Sequence, residues 1–432
     1  MRVQNRHVIY VQGYDPRGLA QYYRMFRTEL RKFEKLYGLS ARIGRPEKDG
    51  EGRIASWTIA TQGPDWQTHT TYDFLRFEDF IQRDLSLPIW RIVSYTIWIY
   101  LRLIFRGTLF RFMKANWRFL TFMTVPHIAF WCEFAIVALA ASVVRRGLEA
   151  AGVPAPLGIA AAALFFLAAL WTVLKYTEKR TYVLYLMCDT IWTWEFSHGE
   201  RPEWDERLDG FAQHLCEVAR SSEADEIVLV GHSSGSFLGT EIMARALKLD
   251  PGLGKHGPRL MLLTLGGNYP IVGFQKAASG FREHLRELAV EPSIDWIDCQ
   301  ARKDVMNFFD LDPIESHGID VGADRRNPTI VPIRFREMIL PEHYNRFRWK
   351  FFRVHFQFVM ANEVPHGYEF FMIVCGPLSL RERMVHLEAA LAIASRDATL
   401  RERGWKELES VPIYGTVAAQ IGGQEPTACA GS

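Results

Sequence analysis

Two long apolar runs in the middle of the chain constrain its fold more than any other feature. The first covers residues 119–144 and contains few polar residues, and the second covers residues 157–174 and carries no charge. Each approaches the roughly 20 residues that a helix needs to cross a bilayer core. The connection, residues 145–156, is short and rich in glycine and proline, as expected of a helical hairpin. We therefore predict a transmembrane hairpin, with a pair of buried core helices as the alternative.

Basic residues are distributed unevenly around the two apolar runs. Eight of them flank the outer ends of the hairpin and only two, Arg145 and Arg146, lie in its loop. The outer eight are Arg102, Arg106, Arg111, Lys114, Arg118, Lys175, Lys179 and Arg180. Because positive residues favour the cytoplasmic side, this asymmetry predicts a two-helix membrane protein whose remaining chain faces the cytoplasm.

Residues 88–118, directly before the first run, interleave aromatic residues with arginines. Trp90, Trp98, Phe105 and Trp117 are examples. Aromatic rings and arginines both favour the headgroup layer of a membrane, so we predict an interfacial helix or helix pair. An aromatic-rich lid of a soluble domain is the alternative.

A short motif later in the chain carries the chemical information. Residues 227–236 read IVLVGHSSGS, and a stretch typical of a helix follows. An apolar strand that runs into Gly-x-Ser-x-Gly and then into a helix is the setting of a nucleophile elbow. Gly231 and Gly235 would allow a turn too tight for a Cβ, and His232 and Ser234 would flank an exposed Ser233. The alternative is an ordinary turn that joins two elements.

At this motif the chain resembles the α/β-hydrolase superfamily, in particular its serine esterases and lipases. The resemblance covers residues 6–36 and 201–377, and the elbow is its only specific motif. It implies an α/β fold, with a mostly parallel sheet that has helices on both faces and is interrupted here by the two-helix membrane insertion. It also implies that Ser233 is a nucleophile and that its acid and its histidine follow in that order.

The acid is expected just after a later strand. Residues 294–299 have the pattern of a strand, and Asp304 follows it by a few residues, at the place where the family has its acid. Asp298 is the next candidate, with Asp310 and Asp312 behind it. A serine needs a histidine base, which in turn needs a carboxylate to orient it, so one of these residues is expected to fill that role.

Four of the histidines that follow the elbow are candidates for the base: His343, His355, His366 and His386. His355 lies in a His-x-x-aromatic pattern that resembles the start of the last helix in many lipase-like members. His366 lies in a loop-like setting that would also suit a base. We favour His355 and keep His366 as the alternative.

An oxyanion hole is expected from two backbone amides. An apolar strand near the N-terminus is followed by residues 12–18, QGYDPRG. By analogy with the family, the amides of Tyr14, next to Gly13, and of Ser234 would stabilise the negative charge that develops in acyl transfer. Gln12 stands where many members have histidine, so an ordinary strand-to-helix turn remains an alternative.

Strand-like and helix-like segments alternate along the remaining chain, which favours a mostly parallel sheet. We expect strands at 7–11, 54–59, 181–186, 259–265 and 294–299, and helices at 21–37, 208–221, 281–289 and 380–403. The predicted organisation is an N-terminal part of the hydrolase domain (1–87), the interfacial segment (88–118), the hairpin (119–180), the main hydrolase domain (181–404) and a tail (405–432). The end of the tail, 422–432, is predicted to be disordered.

Composition excludes several classes of protein. Lys and Arg number 51 against 49 Asp and Glu, so no strongly basic surface for nucleic acid is expected. The six cysteines are scattered and form no Cys-x-x-Cys pair, which argues against a disulfide framework or a cysteine zinc site and favours a reducing compartment. The first residues do not form a secretory signal.

These observations predict a membrane-anchored serine hydrolase that cleaves a carboxylic ester through Ser233, His355 and Asp304. It would need no metal or organic cofactor, and its partners would be the membrane and a lipophilic small-molecule ester or membrane lipid. Two other classes stay open. One is a catalytically inactive hydrolase-fold protein that binds lipid or a partner, and the other is an acyltransferase or thioesterase with the same triad.

Overall fold

A computed structural model describes residues 2–409, which form two compact units. The first unit joins both ends of the chain, Met1–Ile81 with Ser197–Ser432, and the second is Gln82–Phe196. The predicted disordered tail, 422–432, lies outside the described residues.

The first unit contains a nine-stranded sheet. Its strands are β1 (Asn5–Val11), β2 (Ser40–Ile43), β3 (Glu47–Lys48), β4 (Ile54–Gln62), β5 (Gln67–Leu75), β6 (Glu226–His232), β7 (Arg259–Leu265), β8 (Ile294–Ala301) and β9 (Thr329–Ile333). Their order is β2-β4-β5-β1-β6-β7-β8-β9, with β3 also paired to β4. All pairs from β5 to β9 in this order are parallel, whereas β4 runs antiparallel to β2, β3 and β5. The prediction of a mixed α/β protein with a mostly parallel sheet is confirmed.

Helices connect most of these strands. They are α1 (Leu19–Tyr37), α2 (Glu78–Leu85), α3 (Ile89–Phe105), α4 (Thr108–Ala150), α5 (Ala155–Thr181), α6 (Val183–Ser197), α7 (Pro202–Ser221), α8 (Gly235–Leu249), α9 (Pro270–Gly273), α10 (Ser279–Val290), α11 (Phe335–Met338), α12 (Pro341–Phe347), α13 (Phe351–His355), α14 (Phe370–Cys375), α15 (Leu380–Val385), α16 (Leu387–Ile393) and α17 (Ala398–Glu409). Three short 3-10 turns, Glu315–His317, Gly322–Asp324 and Phe356–Val359, complete the set.

One face of the sheet packs in an aromatic-rich core. Side chains alternate between the two faces of a strand, so Val8 and Tyr10 of β1 point to the same side. They lie in one cluster with Tyr72 of β5 and Phe26 of α1. Rings in this cluster meet mostly at an angle, as for Phe26 and Tyr72, whose centroids are 4.9 Å apart.

The connections change direction beside β1. From β1 the chain moves to β5 on one side, crosses back to β6 on the other side, and continues to β7, β8 and β9. In open parallel sheets the crevice at such a switch point, outside the carboxyl ends of the strands, is where ligands bind. The loop after β1 and the turn after β6 therefore meet where a site is expected.

The second unit contains two helices that are long and apolar enough to cross a membrane, Thr108–Ala150 and Ala155–Glu178. A third candidate exists only if Glu78–Leu85 and Ile89–Phe105, which meet at a bend of 100°, form one span. Asn116 leaves helical geometry and divides α4, so the apolar part starts close to the predicted residue 119. The two long helices pack side by side, with ring centroids of Phe134 and Phe166 5.1 Å apart.

Three details of the predicted secondary structure are wrong. Residues 181–186 are not a strand. Tyr182 follows α5 in a left-handed conformation, and α6 starts at Val183. The Glu178 carboxylate accepts hydrogen bonds from the backbone amides of Leu184 and Tyr185. Residues 380–403 do not form one helix. His386 departs from helical geometry there, and α15, α16 and α17 share the segment. Strands β2, β3, β5 and β9 were not predicted.

Candidate active site

Ser233 lies in the sharp turn between β6 and α8. Its φ is +61°, a left-handed conformation that is strained for a residue with a side chain. The flanking glycines allow this turn. A Cβ on Gly231 would lie 2.3 Å from the carbonyl oxygen of Gly235, and one on Gly235 would lie 2.1 Å from that of Val11. Both positions therefore exclude every other residue without backbone movement.

The side chain of Ser233 lies against the loop that follows β1. A Cβ built on Gly13 would be 2.8 Å from Ser233 Cβ and 3.1 Å from its Oγ. Ser233 is partly exposed, whereas the residues on both sides of it are buried. Its own amide donates to the carbonyl of Leu265 at 2.9 Å, which fixes the turn to β7. The serine is thus held rigidly and has one accessible side.

His355 and Asp304 form a buried hydrogen-bonded pair. His355 Nδ1 is 2.6 Å from Asp304 Oδ2, and both side chains are almost fully buried. Asp304 follows β8, and its other oxygen accepts the amide of Met306 at 2.9 Å. A carboxylate placed in this way selects the tautomer in which Nε2 is free to accept a proton. His355 does not begin the last helix, as the sequence pattern suggested, but ends the short helix α13.

His232 connects this pair to the elbow. Its ring stacks on that of His355 with centroids 4.6 Å apart, and its Nε2 is 3.2 Å from the carbonyl oxygen of His355. Burial holds the pKa of His232 well below its usual value, and the neighbouring imidazole of His355 acts in the same direction. His232 is therefore neutral, and its Nε2–H donates to the carbonyl.

The final contact of a complete triad is not formed in this structure. Within residues 2–409, no hydrogen bond joins Ser233 Oγ to His355 Nε2. The Nε2 atom is buried and has no described hydrogen-bond partner. Catalytic hydrogen bonds are often long in proteins without substrate, and they shorten when the substrate binds. The structure brings the pair next to the elbow and leaves the proton-accepting atom unused.

The alternative candidates have other partners. Asp298 Oδ1 accepts from Thr264 and Tyr269 and its Oδ2 from Gln300, and burial raises its pKa. Of the other candidate bases, His366 lies beside Glu337, His343 is hydrogen-bonded to Glu363, and His386 lies between α15 and α16. Of the other candidate acids, Asp310 lies in a left-handed turn and Asp312 forms an ion pair with Arg325. The contact between Asp304 and His355 distinguishes these two residues from them.

The loop after β1 is held in place by charged and aromatic contacts. Asp15 accepts from the amide and guanidinium of Arg17 and from the hydroxyl of Tyr22 at 2.9 Å. The Arg17 guanidinium also lies 4.5 Å from the ring centre of Phe356, the residue after His355. The loop that carries Gly13 and Tyr14 is thereby fixed both to α1 and to the segment that carries His355.

Sequence reasoning missed a third loop at this edge of the sheet, which follows β7. Asn268 Nδ2 donates to Ser234 Oγ at 3.1 Å. Gly266 has a φ of +59°, and a Cβ there would meet Phe358 at 2.6 Å and Asp304 Oδ2 at 3.3 Å. The signal was a Gly-Gly-Asn sequence directly after a buried parallel strand, on the edge where ligands bind.

No protein-family model, curated protein or solved structure matches this chain. The function of the chain is therefore inferred from the chemistry and geometry of the site.

Proposed function

We propose that the chain is a serine hydrolase of the α/β-hydrolase type, with Ser233 as nucleophile, His355 as base and Asp304 as the residue that orients the base. The observation that carries the proposal is the buried pair of His355 and Asp304, packed through His232 against a strained serine. Strain of this kind persists only where the surrounding structure holds it, and it concentrates at functional sites.

The proposed reaction has two steps. Ser233 Oγ attacks the carbonyl carbon of an ester while its proton passes to His355 Nε2, and the alcohol leaves with that proton. Water then attacks the acyl-enzyme, gives a proton to the same nitrogen and releases the acid as Ser233 regains its proton. The amides of Tyr14 and Ser234 are proposed to donate to the oxyanion. Ser234 directly precedes α8 as its N-cap residue, and the positive N-terminal end of the helix favours negative charge.

Exposed aromatic residues near the pair support a lipophilic substrate. Trp349 and Phe351, just before His355, are 69% and 48% exposed. Lys303, the neighbour of Asp304, lies 4.5 Å from the centre of the Trp349 ring. Aromatic and basic side chains together favour the interface between water and lipid. The substrate class proposed is therefore an ester with a lipophilic acyl group or a membrane lipid.

The surface of the second unit supports a membrane anchor. Within residues 2–409, all but five of the exposed large apolar side chains lie between residues 90 and 182. An apolar surface this extensive is unusual on a soluble monomer and marks contact with lipid or protein. We propose that α4 and α5 span a bilayer and that the sheet unit is cytoplasmic, as the basic flanks predict.

A fluorophosphonate probe, which reacts with activated serines, tests the proposal on detergent-solubilised full-length protein. We expect wild type to label, Ser233→Ala not to label, and His355→Gln to label very slowly. His366→Gln is the matched control and should label like wild type. If folded wild type does not label, the hydrolase proposal falls, and a protein that binds a lipid or a partner through the same fold takes its place.

Hydrolysis and acyl transfer differ in what removes the acyl group. With a short-chain chromogenic ester, a hydrolase releases free acid in water alone, whereas a transferase needs an added alcohol or thiol for turnover. Turnover that requires the acceptor would assign the triad to transfer.

A further inference from the structure

A polar cluster lies on the sheet face opposite the aromatic core. His7 and Val8 are neighbours on β1 and point to opposite faces, and so do Asp73 and Tyr72 on β5. Because Val8 and Tyr72 belong to the aromatic core, His7 and Asp73 are on the other side. His214 on α7 reaches the same place. Positions 7, 73 and 214 of the sequence are thus brought together.

The three side chains converge on one point. His7 Nε2 and His214 Nε2 each lie 2.7 Å from Asp73 Oδ2, and the three potential ligand atoms are all within 4.8 Å of one another. Ser56 Oγ donates to the other oxygen of Asp73 at 2.6 Å and fixes the carboxylate. Outer hydrogen bonds of this kind orient carboxylate ligands in metal sites.

The charge of the cluster suits a cation. His7, His214 and Ser56 all lie within hydrogen-bond distance of the Asp73 carboxylate, and partners of this kind favour its anionic form. One carboxylate with two imidazole nitrogens is a ligand set that zinc and related divalent ions accept in proteins.

A cleft gives access to the cluster. Its volume is about 560 Å³, and Ser56 and His214 are among the residues that line it. Four carboxylates, Glu47, Asp49, Glu51 and Glu217, also line it. Its basic side chains are Lys48 and two arginines, of which Arg53 is paired with Glu51 and Arg207 with Asp79. Cations can thus approach His214 from solvent.

We propose that His7, Asp73 and His214 bind a divalent transition-metal ion, and that zinc fits them best. Zinc bonds of about 2.0–2.2 Å in a tetrahedral arrangement place ligand atoms roughly 3.3 Å apart. Each contact of 2.7 Å would have to widen by about 0.6 Å to admit the ion. The ion would cross-link β1, β5 and α7, and no sequence motif predicts a metal site at these positions.

The site is separate from the proposed hydrolase chemistry. Within residues 2–409, no hydrogen bond connects the cluster with Ser233, Asp304 or His355. Loss of the metal should therefore leave fluorophosphonate labelling unchanged while the protein remains folded. The two proposals can fail independently.

The test is zinc binding to the full-length protein in detergent after treatment with a chelator. We expect calorimetry with Zn²⁺ to show one high-affinity ion per chain, and thermal unfolding to move to higher temperature when zinc is added. His214→Gln and His7→Gln keep a side-chain N–H that can reach Asp73 but lose an imidazole ligand. Each should weaken binding by more than the ~10- to 100-fold typical of losing an outer hydrogen-bond partner.

His69→Gln is the matched control, because His69 is an exposed histidine on the same strand as Asp73. It should bind zinc like wild type. Co²⁺ in place of Zn²⁺ should give visible absorption in wild type and in His69→Gln but not in His214→Gln. Wild type without one bound zinc, or equal zinc affinity of wild type and His214→Gln, would overturn the proposal and leave the cluster as a hydrogen-bonded network.

Discussion

The imidazole rings of His232 and His355 stack with their centroids 4.6 Å apart and their planes inclined by 28°. The neutral His232 donates to the backbone of the residue whose side chain is hydrogen-bonded to Asp304. His232 thus supports the proposed base, in addition to preceding Ser233, the proposed nucleophile.

Replacing His232 by Leu should slow fluorophosphonate labelling by about 10- to 100-fold, because a shift of the base by as little as ~1 Å has an effect of that size. It should also lower the free energy of unfolding by about 1–3 kcal/mol, since the buried carbonyl of His355 loses its donor. Labelling rates and chemical denaturation measure the two effects. His256→Leu changes an exposed histidine and serves as the control. An unchanged labelling rate in His232→Leu would show that the stack does not position the base.

Asp304→Asn should reduce the labelling rate by about 10³- to 10⁴-fold, because an amide no longer selects the required imidazole tautomer. Asp298→Asn tests the other candidate acid. Its network with Thr264 and Tyr269 contributes to stability, so we expect a lower melting temperature and a labelling rate close to that of wild type. The reverse pattern would assign the orienting role to Asp298.

Gly235→Ala should prevent stable folding or cost several kcal/mol, because its Cβ would lie 2.1 Å from the Val11 carbonyl oxygen and 2.6 Å from that of Gln12. Gly239→Ala, one turn further along the same helix, meets no atom closer than 3.7 Å. That substitution should stabilise the protein by about 0.5–1 kcal/mol, since alanine is the better helix former. Equal melting temperatures for the two variants would contradict the close approach of the elbow to β1.

Glu369 makes folding stability depend on pH. Burial raises its pKa to about 7 although the amides of Asn362 and Phe371 donate to it. The unfolded chain has the ordinary value, so between about pH 4.5 and 7 the folded state holds a proton that the unfolded state has lost. Stability due to this group is therefore complete below pH 4.5, falls as pH rises to about 7 and levels off above it.

This rise in the pKa of Glu369 corresponds to a change of ~3 kcal/mol at most in the free energy of unfolding. Glu369→Gln should remove this part of the pH dependence, so that the stability of wild type relative to the variant is lower at pH 8 than at pH 5. Urea unfolding at both pH values measures it. Glu388→Gln, at an exposed glutamate, should keep the wild-type slope. Parallel pH profiles of wild type and Glu369→Gln would show that Glu369 is ionised in the folded state.

Cysteine labelling tests the proposed orientation in a membrane. The exposed Cys132 is first replaced by serine. Single cysteines are then introduced as Ala151→Cys, in the connection between α4 and α5, and as Ser221→Cys, at the end of α7; both positions are exposed. In intact cells an impermeant maleimide should modify Ala151→Cys but not Ser221→Cys, because the loop has fewer basic residues than the flanks. Labelling of Ser221→Cys alone would invert the topology, and labelling of neither would contradict a spanning hairpin.

The sequence predicted the features that depend on neighbouring residues. The apolar helices follow from composition over about 20 residues, and the turn at Ser233 follows from glycines two positions away on each side. The strand before Asp304 was likewise visible in a short apolar run. The pairing of Asp304 with His355, the proposed acid and base, could be identified only in the structure. The two residues come into contact only when β8 and α13 are in place.

The cluster of His7, Asp73 and His214 could not be predicted for the same reason. Its residues are far apart in the chain. Strand β5 escaped notice because its first five residues, QTHTT, are all polar and its apolar residues occur only in the second half. The polar residues of β5 are of the kind that a sequence pattern assigns to the solvent-exposed surface. Only its pairing with β1 and the position of α7 show that these residues are covered.

The central strand β1 is synthesised long before its neighbour β6, which starts only at Glu226. At a synthesis rate of ~5–20 residues per second, β1 waits on the order of 10 to 40 s for this partner. During that time α4 and α5, the proposed membrane-spanning helices, emerge, while one edge of β1 stays open to unwanted pairing. The order of synthesis therefore places the proposed insertion of these helices before closure of the sheet, and mutations that delay that insertion should harm folding of the distant serine turn.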